Sequence, residues 1–206
     1  NGWNFTDMMV YMAQGILVYG LIFTFCGGWD FSRLISKGEL DQFLTAPKSA
    51  LWQILSSKTL IPALGDCLSG ISIFLIWGNT SLIGIGTFAL AVLFGFIIGL
   101  NCIIITQSLA FYFQHFEEAA DRFLHLTLGF SLYPPDQFYG GVKLMMMTIL
   151  PAFFINVLPV RLVREFSWST LSILFVFLIF TTIVAALVFK QGLKRYESGN
   201  LISVRF

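Results

Sequence analysis

His115, Glu117, Glu118, Asp121, Arg122 and His125 place acids, bases and two imidazoles within a short stretch of otherwise apolar chain. If that stretch is helical, Glu118 with Arg122 and Asp121 with His125 stand one turn apart, where opposite charges satisfy each other. Two uses fit these residues. They form a self-neutralising cap at a helix end, or they line a polar passage, because ionisable groups within a membrane face a bundle interior. Glu117, Glu118 and Asp121 could also carry protons in an ion-coupled secondary transporter built around a broken segment. Asp66 lies about 12 Å along a helix from Lys58, and either pairs with a neighbouring helix or touches a substrate. The two His and the scattered carboxylates match neither a metal-ligand spacing nor a nucleophile with its base. No G-x-x-x-x-G-K-[ST] phosphate loop occurs, so the chain is read as non-enzymatic, with no cofactor of its own.

The elements that carry these residues belong in a bilayer. The chain has 206 residues, of which 57% are hydrophobic and only 11% charged, with mean hydropathy +0.82. Soluble domains carry about 25% charged residues. A net charge of +1 gives no reason to expect nucleic acid. Cys26, Cys67 and Cys102 are far apart in apolar sequence and read as buried thiols.

A spanning helix takes about 20 mostly apolar residues. Spans are expected at about 8–29, 59–77, 82–106, 115–133 and 168–189, giving an all-α, polytopic membrane helical bundle in a single domain, 1–206. In the third span, Gly95 and Gly99 form a small-xxx-small pair, read either as a packing site or as ordinary membrane glycines. The fourth either begins near His115 and brings its charges part-way into the membrane, the favoured reading, or does not span, because Phe123–Tyr133 alone reaches only about 16 Å. Residues 31–46 are too charged to span. Phe31, Leu34, Ile35, Leu40, Phe43 and Leu44 recur at helical spacing against Arg33, Lys37, Glu39 and Asp41, which predicts an amphipathic surface helix bent at Gly38.

Residues 141–160 are apolar but interrupted by Pro151 and Pro159, and read as a re-entrant segment or a span. The positive-inside rule favours re-entry. Arg33, Lys37, Lys48 and Lys58 then share the cytoplasmic side with Lys190, Lys194, Arg195 and Arg205. Arg161 and Arg164 count against it, since they then face outward.

Several motifs coincide in order. Arg33 to Pro47 contains Gly-Glu-Leu-Asp on a surface helix after an early span. Tyr133-Pro134 precedes P-x-x-F-x-N-x-x-P (Pro151, Phe154, Asn156, Pro159), and the closing helix runs into G-L-K-R-Y-E-S-G, Gly192 to Gly199. Over nearly its whole length the chain resembles the membrane subunit of a type-2 ABC exporter, in the subgroup whose permease and ATPase are separate chains. That resemblance implies six spans, with the first absent from this sequence, which begins at Asn1. It implies a coupling helix at 31–46 with Arg33, Lys37, Glu39 and Asp41 facing the ATPase; a membrane-surface helix that only fixes topology is the alternative. It further implies ABC ATPase subunits that bind ATP and Mg, a second permease copy or a related permease, and a place in the bacterial inner membrane. The expected function is export of a hydrophobic or amphiphilic substrate by alternating access. Apolar residues near Met145–Met147 either line that route or face lipid.

Overall fold

The computed structural model describes residues 3–45, 49–134, 140–141, 145 and 151–196. Among the described residues the regular structure is all helical, as a bilayer demands of a backbone that must satisfy its own hydrogen bonds. Helix α1 runs Phe5–Phe25, and Asn4 N–H donates to the Asp7 carboxylate at 3.1 Å to close its first turn. Three short helices follow: α2 at Ser32–Ser36, α3 at Asp41–Leu44 and α4 at Ala50–Leu55. Helix α5 covers Ala63–Trp77, and α6 covers Leu82–Ser108 and tightens into a 3-10 turn, Leu109–Phe111. Helix α7 is Glu117–Ser131. A π-helical turn at Phe153–Val157 leads into α8, Leu158–Arg164, and α9 closes the bundle at Trp168–Leu193.

Phe5–Phe25, Leu82–Phe111 and Trp168–Leu193 are long and apolar enough to cross a membrane. Helix α5 is apolar but has 15 residues, a rise of about 22 Å. Helix α1 packs between α5 and α6, and α9 lies along α6. Large apolar side chains on the outer faces of α5 and α9 remain uncovered, among them Leu68, Ile76, Phe175, Val176 and Phe180. Such a surface suits lipid.

Several boundaries differ from the sequence expectation, each for a local reason. The expected surface helix 31–46 is two helices. Gly38 has φ +68, and Gly38 N–H bonds Ile35 O at 3.1 Å while Glu39 N–H bonds Leu34 O at 2.9 Å. This is a left-handed glycine stop, which caps α2 and lets the chain restart as α3. The second span begins at Ala63 rather than 59, because residues 60–62 form a turn in which Leu60 N–H is satisfied by Phe23 O of α1 at 3.1 Å. In place of the expected fourth span, α7 begins at Glu117 rather than 115, since His115 adopts φ +54 and interrupts the helix. With 15 residues and a charged first turn, α7 is not among the helices long and apolar enough to cross a membrane. The first span ends at Phe25 rather than 29, and the last extends to Leu193 rather than 189. Of the expected re-entrant stretch 141–160, residues 142–144 and 146–150 lie outside the described residues, as do Met146, Met147, Pro47, Lys48 and the tail from Glu197.

Gly95 is where α6 meets the π turn. A Cβ there would stand 2.6 Å from the Ile155 carbonyl oxygen and 2.9 Å from Val18 Cγ2. Of the two readings of the small-xxx-small pair, close packing is the one present at this position.

Candidate functional site

The Gly-Glu-Leu-Asp segment has a physical explanation in the way α2 ends. With Gly38 turning the chain, Leu40 points inward and is fully buried, beside Phe31 and Ile35. These three share an apolar cluster with Ile104 of α6 and with Ala185 and Phe189 of α9. The Phe31 and Phe189 rings meet edge to face at 5.9 Å, and Phe111 packs against Phe189 at 5.8 Å. Phe31, Leu34, Ile35, Leu40 and Phe43 are the positions that helical periodicity marked as apolar, and all join this cluster. Leu44 stays exposed.

Polar bonds pin the same segment from several sides. Ser32 N–H donates to Gln107 Oε1 of α6 at 3.0 Å. Arg33 forms an ion pair with Asp121 of α7, and Ser36 Oγ donates to the Glu117 carboxylate. Leu40 N–H donates to Tyr196 Oη, just past α9, at 3.0 Å. At the start of the segment Lys58 reaches Asp30 at 3.5 Å. The hydrogen bond that Arg33 donates to Asp121, then the charge of that carboxylate, hold the Arg33 guanidinium further toward the charged form. Partial burial, and then the nearby Asp41 charge, raise the Tyr196 phenol above its ordinary value, so it stays protonated.

The expected site residues therefore divide into distinct groups. Arg33, Asp121 and Glu117 come together, although 88 residues separate the first two in sequence. Glu118 and Arg122 face each other at 3.7 Å, with both side chains about 80% exposed, which places them at the surface. Asp121 and His125 do not pair through the carboxylate; it is committed to Arg33, and His125 Nδ1 instead meets the Asp121 carbonyl oxygen at 2.7 Å. Lys37 and Glu39 project outward from the α2–α3 corner, while Asp41 turns partly inward toward Tyr196. Asp66 stands apart, exposed on α5 with no ion pair among the described residues. The Leu40–Tyr196 bond also brings the basic residues around α2 and those at the end of α9 to one end of the bundle.

A second polar assembly, inside the bundle, escaped the sequence reading. Asn156 in the π turn is fully buried, and its Nδ2 donates to Tyr11 O at 3.2 Å and to Ser131 O at 2.6 Å. Ser131 O is one of the carbonyls that the last turn of α7 cannot satisfy from within the helix. Tyr19 Oη lies 3.1 Å from Ser131 Oγ, Tyr11 Oη donates to Tyr133 O at 3.1 Å, and Gln14 Nε2 donates to Ala91 O of α6 at 3.2 Å. Tyr11, Gln14, Tyr19, Ser131 and Asn156 thus join α1, α6, α7 and the π turn through hydrogen bonds, in a region otherwise held by apolar contact. Two signals pointed there. Asn156 lies in the proline-bounded motif, and Gln14 is an amide in an otherwise apolar span.

This architecture binds the α2–α3 segment firmly to the bundle and leaves Lys37 and Glu39 at its corner exposed. It offers no assembled acid–base or nucleophilic centre among the described residues, and no group of three potential metal ligands. No curated protein and no solved structure matches the chain. Residues 1–200 match the family described as ABC-2 family transporter protein, which covers almost the entire sequence. The chain is a multi-pass membrane protein with a transport role, and it belongs to the ABC-2 transporter family.

Proposed function

We propose that the chain is the permease subunit of an ATP-driven exporter in the bacterial inner membrane, powered by a separate ATPase that holds the ATP and Mg. The observation that carries this reading is the attachment of the α2–α3 segment. Its outward corner presents Lys37 and Glu39, and its inner side is bonded to α6, α7 and the end of α9. A push on that corner would reach three helices at once. A segment that served only to fix topology would need no such set of bonds. In this reading α2–α3 is the coupling element, and two permeases, identical or related, alternate access to a shared route.

The positive-inside rule supports placing the α2–α3 end in the cytoplasm, since Arg33, Lys37, Lys58, Lys190, Lys194 and Arg195 gather there. A hydrophobic or amphiphilic cargo is supported by the groove of about 250 Å³ along α7, lined by His125, Leu126, Gly129, Phe130 and Tyr133. The experiment is purification of the tagged chain in mild detergent, with mass spectrometry of what accompanies it. A co-purifying protein with a phosphate-binding loop and vanadate-sensitive ATP hydrolysis is the expected result. A lone oligomer in several detergents, with transport driven by a proton gradient, would refute the reading and favour a secondary transporter using Glu117, Glu118 and Asp121.

A further inference from the structure

At the end of the bundle opposite α2–α3, the two arginines that sit awkwardly with the charge distribution have very different surroundings. Arg164 is engaged. It pairs with Asp7 of α1 at 3.0 Å and lies over the Trp3 ring at 4.8 Å, joining α8 to the start of α1. Arg161, one turn earlier, is exposed and lies over the Phe153 ring at 5.7 Å, with no ion pair among the described residues. Glu165 is exposed four residues after Arg161, yet the two make no ion pair. Glu165 closes α8, its N–H still donating to the Arg161 carbonyl oxygen at 2.9 Å, while its own backbone is already extended, with φ −140 and ψ 101.

Arg161 and Glu165 both line a cleft of about 530 Å³, together with Trp3, the Asp7-paired Arg164, Phe166, Ser167 and Thr170. The length of α9 and the aromatic residues at its start place the cleft near a membrane surface. Helix α9, starting at Trp168, has 26 residues and rises about 39 Å, more than the roughly 30 Å hydrocarbon core. Phe166 and the 74% exposed Trp168 meet edge to face at 5.2 Å at its first turn, in the pattern of residues anchored at the headgroup level. Beside the paired Arg164, the cleft therefore offers a cation and an anion that make no ion pair among the described residues, with hydroxyls and aromatic edges, at headgroup depth.

We propose that this cleft binds the headgroup of a zwitterionic phospholipid bearing an ammonium group. Its phosphate would be held by the Arg161 guanidinium, which suits phosphate geometry. Its ammonium would be held by Glu165. With Arg164 already neutralised by Asp7, the cleft has no net charge, so a zwitterion fits and a purely anionic headgroup meets the Glu165 carboxylate. The site depends on the chain lying in a bilayer and not on the direction or energy source of transport.

The test uses the complex purified through this chain and exchanged into detergent with equal amounts of phosphatidylethanolamine and phosphatidylglycerol, with retained lipid measured by native mass spectrometry. The wild type should retain the ethanolamine lipid at least five-fold over the glycerol lipid. Glu165→Gln should abolish that preference while lipid is still retained. Arg161→Gln should lose retention of both, and Arg161→Lys should restore part of it. Soluble glycerophosphoethanolamine at the same concentration should not compete; competition would identify a free phosphate compound, not a membrane lipid, as the ligand and overturn the proposal. Equal retention of both lipids by the wild type, or retention unchanged in Arg161→Gln and Glu165→Gln, would also overturn it. Both residues are exposed, and the unaltered Asp7–Arg164 pair keeps α8 anchored in each variant.

Discussion

Leu40 and Tyr196 are 156 residues apart, and the amide of the first donates a 3.0 Å hydrogen bond to the phenol of the second. Each belongs to a motif that stands out in the sequence, Gly-Glu-Leu-Asp in one case and Tyr-Glu-Ser-Gly in the other. The stop at Gly38 frees the Leu40 amide from helical bonding, and the end of α9 supplies its acceptor. Tyr196→Phe would leave that amide without its partner while keeping the ring packed against Phe111 at 6.3 Å. Loss of a hydrogen bond of this kind costs about 1 kcal/mol, which corresponds to several-fold faster local opening. Hydrogen exchange over residues 37–44 should accelerate accordingly, with α1 and α6 unchanged. Unaltered exchange would show that the bond does not restrain the segment.

The Arg33–Asp121 pair makes a different prediction, because Arg33 is half exposed. An exposed pair contributes at most about 1 kcal/mol to stability, so Arg33→Ala should barely change thermal unfolding. Its effect should appear in transport, through release of α2 from α7. In a double-mutant cycle with Asp121→Ala, the transport defects should be strongly non-additive. Additive losses would mean that the two residues act separately.

Glu39 is the cleaner probe of the outward corner, since it is exposed and Asp41 is drawn toward Tyr196. Glu39→Lys should leave folding intact and reduce ATP-driven transport several-fold while ATP hydrolysis continues, measured on the same reconstituted sample. Asp41→Lys should do the same, with an added loss of stability because Asp41 is partly buried. Normal transport by Glu39→Lys would remove the corner from the coupling role.

Much of this arrangement was legible because burial repeats along the chain. The apolar stripe Phe31–Ile35–Leu40 and the long apolar runs of α1, α6 and α9 follow from periodicity and composition. Partnerships across the bundle were not. The i,i+4 spacing of Asp121 and His125 suggested a pair, but a carboxylate bonds to the best donor within reach, and tertiary packing brings Arg33 there. The start of α7 was misplaced because nothing in the local sequence marks His115 for a positive φ. The seam of Tyr11, Gln14, Tyr19, Ser131 and Asn156 consists of uncharged residues, so its members do not stand out by charge.

Gly95 and Gly86 lie on the same helix but differ in what surrounds them. A Cβ at Gly86 meets nothing within 4 Å, whereas at Gly95 it would press on the backbone of the π turn. Gly86→Ala should therefore be neutral or slightly stabilising, by up to about 1 kcal/mol of helix propensity. Gly95→Ala should destabilise by about 1–3 kcal/mol, because a backbone carbonyl cannot move aside as a side chain can. Thermal unfolding of the two variants in one detergent would compare them directly, and equal midpoints would contradict the close contact.

Asn156 provides the sharpest test of the buried seam, because its role depends on donor chemistry rather than size. Its amide gives one proton to Tyr11 O and one to Ser131 O. Asn156→Asp has nearly the same shape, but an ionised carboxylate only accepts, and would face two carbonyl oxygens in a site with no solvent. A protonated carboxyl could satisfy one of the two. Either form leaves at least one buried carbonyl unpaired, a penalty of about 1–3 kcal/mol. Asn156→Leu removes both donors and should cost a similar amount or more. Folding will favour the protonated form of Asn156→Asp, so its pKa is raised in the folded chain. The sign of the pH dependence follows: Asn156→Asp should be least unstable at low pH and lose stability as pH rises, whereas Asn156→Leu should show no such slope relative to the wild type. Parallel pH profiles for the two variants would mean that the site needs bulk alone, and that the hydrogen bonds from the π turn to α1 and α7 contribute nothing to holding the bundle together.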